Sequence, residues 1–165
     1  MNQVSVIIPA YNEEEGIGEV LERVHQVLRG RFDYEVIVVN DGSTDRTVEI
    51  AQINNAKIVT NPVNIGYGFS IKRGIRAATH ECVFITDADG TYPAGAIPAL
   101  LAAAPGTDMV VGARTGQTVT IPFARRPAKA FLRWLASYLA GHELPDINSG
   151  MRLMRADLVQ RYLHL

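Results

Sequence analysis

Cys82-Val83-Phe84-Ile85-Thr86-Asp87-Ala88-Asp89-Gly90-Thr91 joins an apolar run to two carboxylates spaced by one residue. The run has the length and side-chain content of a fully buried strand, and the polar, glycine-containing stretch behind it marks the strand's end. A strand that stops this way places two acids at the C-terminal edge of a sheet. Residues two apart in an extended segment point the same way, so Asp87 and Asp89 can face one cation. A hard divalent ion held by one or two carboxylates, with phosphate oxygens and water completing its shell, is the usual arrangement for magnesium against a diphosphate. Alone, Asp-x-Asp describes a solvated turn equally well, so the reading depends on its surroundings.

Those surroundings alternate strand and helix. Val4-Ser5-Val6-Ile7-Ile8 is a β-branched run that Pro9 is expected to stop, and residues 14–28 carry Ile17, Val20, Leu21, Val24, Val27 and Leu28 at helical spacing. Residues 34–39 read as a second strand, followed by a helix capped by Ser43 or Thr44 with Asp45 in its first turn. Strands are expected over 57–60, 83–86 and 109–111, and helices over 69–78 and 96–103. This order predicts right-handed βαβ units, hence a three-layer α/β/α, Rossmann-like fold around a mostly parallel sheet. Ligands of such sheets bind beyond the carboxyl ends of the strands. Three polar clusters fall there: Tyr11-Asn12-Glu13, Asn40-Asp41-Gly42-Ser43 and Asp87-Ala88-Asp89.

From about Thr115 the pattern changes. Residues 116–120 read as a loop and 122–140 as one long helix. Ala124, Ala128, Phe131, Leu132, Leu135 and Leu139 share one arc, with Arg125, Arg126, Lys129 and Arg133 beside it. Two readings stay open: a core-facing helix with a basic edge, or a surface that meets lipid headgroups or a phosphate. A further strand is expected within 149–154 and a last helix over 157–163.

Bulk properties fit one globular domain over 1–165. Hydrophobic residues make up 47% and charged residues 20%, ordinary values for a soluble fold. A formal charge of −1 excludes a general nucleic-acid binder, which would be clearly basic. The single cysteine, Cys82, reads as a buried thiol, and the four histidines fall in no motif and read as surface residues. No apolar run approaches the ~18 residues that span a bilayer. The expected location is cytoplasmic, with contact at the inner face of a membrane left open.

The segments Ser5–Glu14, Val38–Asp45 and Asp87-Ala88-Asp89 resemble, in order and spacing, the family-2 glycosyltransferases of the GT-A fold. Asn64–Gly68, Gly112-Ala113-Arg114 and Asp146–Arg152 make the chain most similar to the polyprenyl-phosphate sugar transferases within that family. The resemblance implies a donor site formed by Pro9, Tyr11, Glu13, Asp41, Asp87, Ala88, Asp89 and Arg114. In it Tyr11 packs on the base, Glu13 accepts from a ribose hydroxyl, and Asp41 accepts from the base. It implies Mg2+ or Mn2+ on Asp87 and Asp89, with Asp89 the more direct ligand. Asn40 stands where many relatives carry a second Asp, and Thr91 where some carry Gln. Gly42 and Ser43 read as turn and cap residues.

The expected reaction is inverting transfer from a UDP-, GDP- or dTDP-linked sugar. Arg114 would bind the sugar or its phosphates as a planar fork. An acceptor polyprenyl phosphate is already anionic and needs no general base; Arg125 and Arg126 would hold its phosphate. A hydroxyl acceptor would need a base, for which Asp146 is the candidate. A non-catalytic nucleotide-sugar-binding domain and a nucleotidyltransferase are the competing readings. The second lacks the Gly-rich basic loop expected after the first strand, where this chain has Ala10-Tyr11-Asn12-Glu13-Glu14.

Overall fold

Strict alternation of side chains along the central strands gives the sheet two apolar faces, and helices cover both. The computed structural model describes residues 3–113, 132, 134–139, 141, 143, 146 and 149–163. Its elements run β1 (Gln3–Ala10), α1 (Ile17–Leu28), β2 (Asp33–Asn40), α2 (Thr47–Ile53), β3 (Lys57–Thr60), α3 (Tyr67–Ala77), β4 (Cys82–Ile85), α4 (Ile97–Ala103), β5 (Met109–Val111), β6 (Arg152–Arg155) and α5 (Ala156–Arg161). Val4, Val6 and Ile8 of β1 join Val36, Val38 and Phe84 against α1 and α4 on one face. Ile7, Ile37, Val39, Val83 and Ile85 meet Ile75 of α3 and Ala156 of α5 on the other. Gly74 lets α3 lie close: a Cβ there would collide with Ile7 and come within 3.0 Å of Val39 Cγ2. Cys82 is buried in the first cluster, as expected of a structural thiol.

The six strands are ordered β3-β2-β1-β4-β6-β5. β1 pairs in parallel with β2 and β4, and β2 with β3. β6 inserts antiparallel between β4 and β5. The sheet is therefore mixed but mostly parallel, as the βαβ pattern predicted. The late return of residues 152–155 into its middle is a long-range pairing that local patterning does not encode.

Several boundaries move for identifiable reasons. Pro9 does not stop β1, which runs to Ala10 in register with β2. The ladder to β4 ends at Ile7–Ile85, and Ile7 C=O, on that same side, takes Thr86 N–H at 3.2 Å. The missing N–H of Pro9 falls on the side where pairing has ended, so no ladder bond is lost. α1 starts at Ile17, because Glu13 C=O first closes a turn with Gly16 and Ile17 N–H. Neither Ser43 nor Thr44 caps α2. Asp45 Oδ1 accepts Thr47 N–H at 3.0 Å, and the helix begins there.

Two compact units divide the chain: residues 1–111 with 150–165, and residues 112–149. In the second, residues 134–139 are helical. Trp134 and Tyr138, one turn apart, stack with centroids 5.8 Å apart. Leu132 and Leu139, on the arc that one reading turned toward the core, are 54% and 76% exposed. No helix among the described residues is long and apolar enough to cross a membrane.

At the N-terminal edge of the sheet, Glu35 Oε1 accepts Ser5 Oγ–H at 2.7 Å, Thr79 N–H at 2.7 Å and Thr79 Oγ1–H at 2.7 Å. His80 Nδ1 lies 3.2 Å away, so this histidine belongs to a part-buried network and is not a bare surface residue. Burial pushes the Glu35 carboxyl up, but the Thr79, Ser5 and His80 contacts outweigh it and bring the pKa down to about 2. A lowered folded-state pKa means stability that is full above the unfolded value and is lost as pH falls through the folded one. Glu35→Gln should therefore lower the thermal midpoint at neutral pH. The gap to wild type should close as pH falls from about 4.5 toward about 2, measured by circular dichroism melts across that range.

Candidate functional site

The loops after β1 and β2 are bound to one another by side-chain-to-backbone hydrogen bonds. Asn12, at φ 53°, accepts Thr44 N–H on Oδ1 at 2.9 Å, while its own N–H donates to Ser43 Oγ at 3.0 Å. Glu13 N–H donates to Thr47 Oγ1 at 2.8 Å, and Glu14 accepts Arg46 N–H at 3.1 Å. Asn40 is buried and accepts Ser43 N–H at 2.8 Å, which gives it a turn-forming role. The start of α1 touches the acidic turn: a Cβ on Gly16 would stand 2.8 Å from Ala88 C=O.

Asp41 is 4% exposed and fully engaged. Oδ1 accepts Asn61 Nδ2–H at 2.7 Å and Ile65 N–H at 3.0 Å, and Oδ2 accepts Gly66 N–H at 2.9 Å. Burial pushes this carboxyl up, but the donors from Ile65, Asn61 and Gly66 outweigh it and hold it below the usual range. It is therefore an anion that fixes the 61–66 loop. Gly42 beside it (φ 77°) has no room for a Cβ, which would come within 2.7 Å of the Val63 backbone.

From that loop the chain enters α3 at Tyr67, whose hydroxyl donates to Asp87 Oδ1 at 2.8 Å. Burial and the Asp87 contact raise the Tyr67 pKa, so the phenol remains a donor. On the far side, Asp87 Oδ2 lies 2.7 Å from where a Gly150 Cβ would sit, and Gly150 N–H donates to Tyr92 Oη at 2.6 Å. Gly150 is therefore small because Asp87 occupies the space. Arg152 opens β6 opposite Ile85 and adds a positive charge near Tyr67.

Asp89 is exposed and commits Oδ1 to Thr91 N–H at 2.9 Å. Its second oxygen makes no hydrogen bond among the described residues. Glu13 faces this acidic turn: burial first, then the charges of Asp89, Asp45 and Asp87, push its carboxyl up. No three acidic, histidine or cysteine side chains among the described residues form a ready cage. A two-carboxylate holder whose remaining positions go to phosphate and water fits what is present.

Glu13, Asp87 and Asp89 thus come together, with Tyr11 exposed on the same β1 loop. Pro9 is a buried strand residue, and Ala88 is buried in the core cluster, so neither offers its side chain to the site surface. Arg114, Arg125 and Arg126 lie outside the described residues. Within the second unit, Ser149 Oγ–H donates to Gly112 C=O at 2.6 Å, tying the Gly112-Ala113 and Ser149-Gly150 motifs together. Asn61, Tyr67, Tyr92 and Arg152 were not singled out by sequence. The available signals were the Gly66-x-Gly68 loop and the Ser149-to-Arg152 motif, which mark a constrained place without naming the side chain that acts.

A three-layer, mostly parallel sheet with acidic loops at its carboxyl edge is the GT-A glycosyltransferase architecture. It resembles glucosyl-3-phosphoglycerate synthase from Mycobacterium tuberculosis, solved with Mn2+, uridine diphosphate and glucosyl-3-phosphoglycerate, at a TM-score of 0.74 and 26% identity, over 95% of this chain and 58% of that one. The glycosyl transferase family 2 model matches residues 5–163, and the chain belongs to that family. It is 34% identical over 160 residues to a dolichyl-phosphate hexose transferase of Haloferax volcanii, covering 96% of this chain and 68% of that protein. It is 31% identical over 170 residues to the undecaprenyl-phosphate 4-deoxy-4-formamido-L-arabinose transferase of Proteus mirabilis (99% and 52%). It is 36% identical over 132 residues to a dolichol-phosphate mannosyltransferase of Pyrococcus furiosus (75% and 37%). The chain thus spans between about a third and two thirds of the length of these relatives.

Asp41→Asn would turn an amide N–H toward the amide of either Ile65 or Gly66 and remove a buried charge that three donors solvate. It should destabilise the protein by roughly 2–4 kcal/mol in urea titration. The Ile65 and Gly66 amides should lose hydrogen-exchange protection, whereas Asp89→Asn should leave both readouts near wild type.

Proposed function

We propose that residues 1–165 act as the catalytic domain of an inverting glycosyltransferase that moves a sugar from a nucleotide-sugar to a polyprenyl phosphate. The observation that carries this reading is the meeting of Glu13, Asp87 and Asp89 at the carboxyl ends of β1 and β4, in a chain of family 2. The names of the three relatives above, each a polyprenyl-phosphate sugar transferase, support the acceptor class.

Tyr11 would pack on the base and Glu13 accept from the ribose, with Asp41 holding the 61–66 loop beside them. Asp87 and Asp89 would hold Mg2+ or Mn2+, which when bound offsets the charge of the departing nucleoside diphosphate. Tyr67 fixes one oxygen of Asp87 and so sets the carboxylate's orientation. Arg114 would bind the sugar or its phosphates, and Arg125 and Arg126 the acceptor phosphate. That phosphate attacks the anomeric carbon from the face opposite the leaving group, and its charge makes a general base unnecessary. Such an acceptor would bring the enzyme to a membrane surface, and a nucleotide-sugar donor would put it on the cytoplasmic side.

The test is a thermal-shift panel of uridine, guanosine and thymidine diphosphates with and without Mn2+. One of them should raise the midpoint by several degrees only when metal is present, and Asp89→Ala should abolish most of that metal dependence. A shift indifferent to metal in the wild type would remove Asp89 from its assigned role. Transfer from the matching nucleotide-sugar to a short polyprenyl phosphate, but not to soluble hydroxyl acceptors, is the expected assay result.

A further inference from the structure

No Asp or Glu occurs between Ile50 and His80, a stretch that contains Lys57, Lys72, Arg73 and Arg76, although the whole chain carries −1. Lys57 is satisfied at the sheet edge, 3.5 Å from Glu35 Oε2 and donating to Ala77 C=O at 2.9 Å. The other three cations lie on α3. That helix turns Ser70, Gly74 and Ile75 inward, and Ile71 and Ala77 pack on the same sheet face. Phe69, Lys72, Arg73 and Arg76, at i, i+3, i+4 and i+7, therefore form the opposite stripe. None of the three cations makes an ion pair or side-chain hydrogen bond among the described residues.

The stripe continues into apolar tips. Phe69 is 62% exposed, Val63 61% and Ile65 39%. These residues cannot fold inward by a loop adjustment, because the Ile65 and Gly66 amides are bound to the buried Asp41. The surface thus holds uncompensated positive charge next to rigidly presented apolar side chains.

We propose that this face, formed by residues 63–66 and the outer stripe of α3, docks on an anionic phospholipid bilayer. Lys72, Arg73 and Arg76 meet headgroup phosphates, and Val63, Ile65 and Phe69 enter the boundary with the acyl chains. A nucleic acid or an acidic protein would satisfy the cations but leave the two aliphatic tips without an apolar phase. The inference rests on the lipid-borne acceptor proposed above and extends it. α3 begins at Tyr67, which holds Asp87, so the docked face would lie next to the donor site.

The test is co-sedimentation of the protein with phosphatidylcholine vesicles, with and without phosphatidylglycerol, at low and high salt. Binding should require phosphatidylglycerol and weaken with salt. Lys72→Glu with Arg76→Glu should cut partitioning by more than about tenfold, at about fivefold per cation near such a surface. Phe69→Ser should weaken it by a few-fold without changing the salt dependence. Wild-type-like binding by the double variant, or equal sedimentation with neutral vesicles, overturns the proposal. So does self-association that Phe69→Ser abolishes in the absence of vesicle binding. Melting curves check that the variants are folded. Transfer to a detergent-dispersed short polyprenyl phosphate should be unchanged in them. If wild type binds vesicles but fails that transfer, the acceptor reading falls and the docking face stands; the reverse result removes the docking face alone.

Discussion

The buried carboxylate of Asp41 is the interaction on which the site's geometry depends. An ion at 4% exposure is tolerable only with donors on both oxygens, and Asn61, Ile65 and Gly66 supply them. Two of those donors are backbone amides from a loop more than twenty residues downstream, so satisfying the charge also fixes the loop. Asn61 contributes both of its N–H bonds, to Asp41 and to Ser70 Oγ at 2.9 Å, and its own buried Oδ1 has no donor among the described residues. One orphaned acceptor costs about 1–3 kcal/mol, whereas an unsolvated carboxylate would cost more. The arrangement gives up the smaller term to satisfy the larger one.

That restraint reaches the acidic turn through a short covalent path. Gly66 is bound to Asp41, Tyr67 follows it in sequence, and the Tyr67 hydroxyl donates to Asp87. Gly150 keeps the opposite side of Asp87 open by having no Cβ. Asp87 is therefore set from β2 through the α3 loop, while Gly150, two residues before β6, leaves it room. Asp89 is held only by its own turn, through Thr91 N–H. One carboxylate is oriented in advance and the other keeps an oxygen uncommitted, a division suited to a cation that must accommodate donor phosphates as well as protein.

Much of this was legible in the sequence where the physics is local. The apolar β-branched runs Val4–Ile8 and Val36–Val39 and the 3.6-residue spacing of Ile17, Val20, Leu21, Val24 and Leu28 specify the layers, because a strand apolar on both faces must be covered on both. Asp-x-Asp behind an apolar run specified the sheet edge at which the acidic turn lies. Long-range pairing was not legible: nothing in Arg152–Arg155 states that it inserts between β4 and β5. Nor was the role of Asp41. A carboxylate after a strand reads as exposed, and only tertiary burial reveals that it binds a loop. The same holds for Pro9, where the end of the neighbouring strand removes the conflict that its missing N–H would otherwise create.

Charge is sorted over the first unit in a way that the net value conceals. Acids gather at the strand ends, where burial and then the charges of Asp89, Asp45 and Asp87 push the Glu13 carboxyl up. The segment from 50 to 80 has none. Repulsion of this kind disfavours the charged form of Glu13, and the divalent ion proposed above would relieve it. The acid-free α3 face has the opposite sign and begins one residue from the same site. The nucleotide-sugar and the lipid-borne acceptor phosphate proposed above are both anionic, and they would repel each other in a uniform field. Separating negative and positive surfaces on either side of Tyr67 would let one domain approach both.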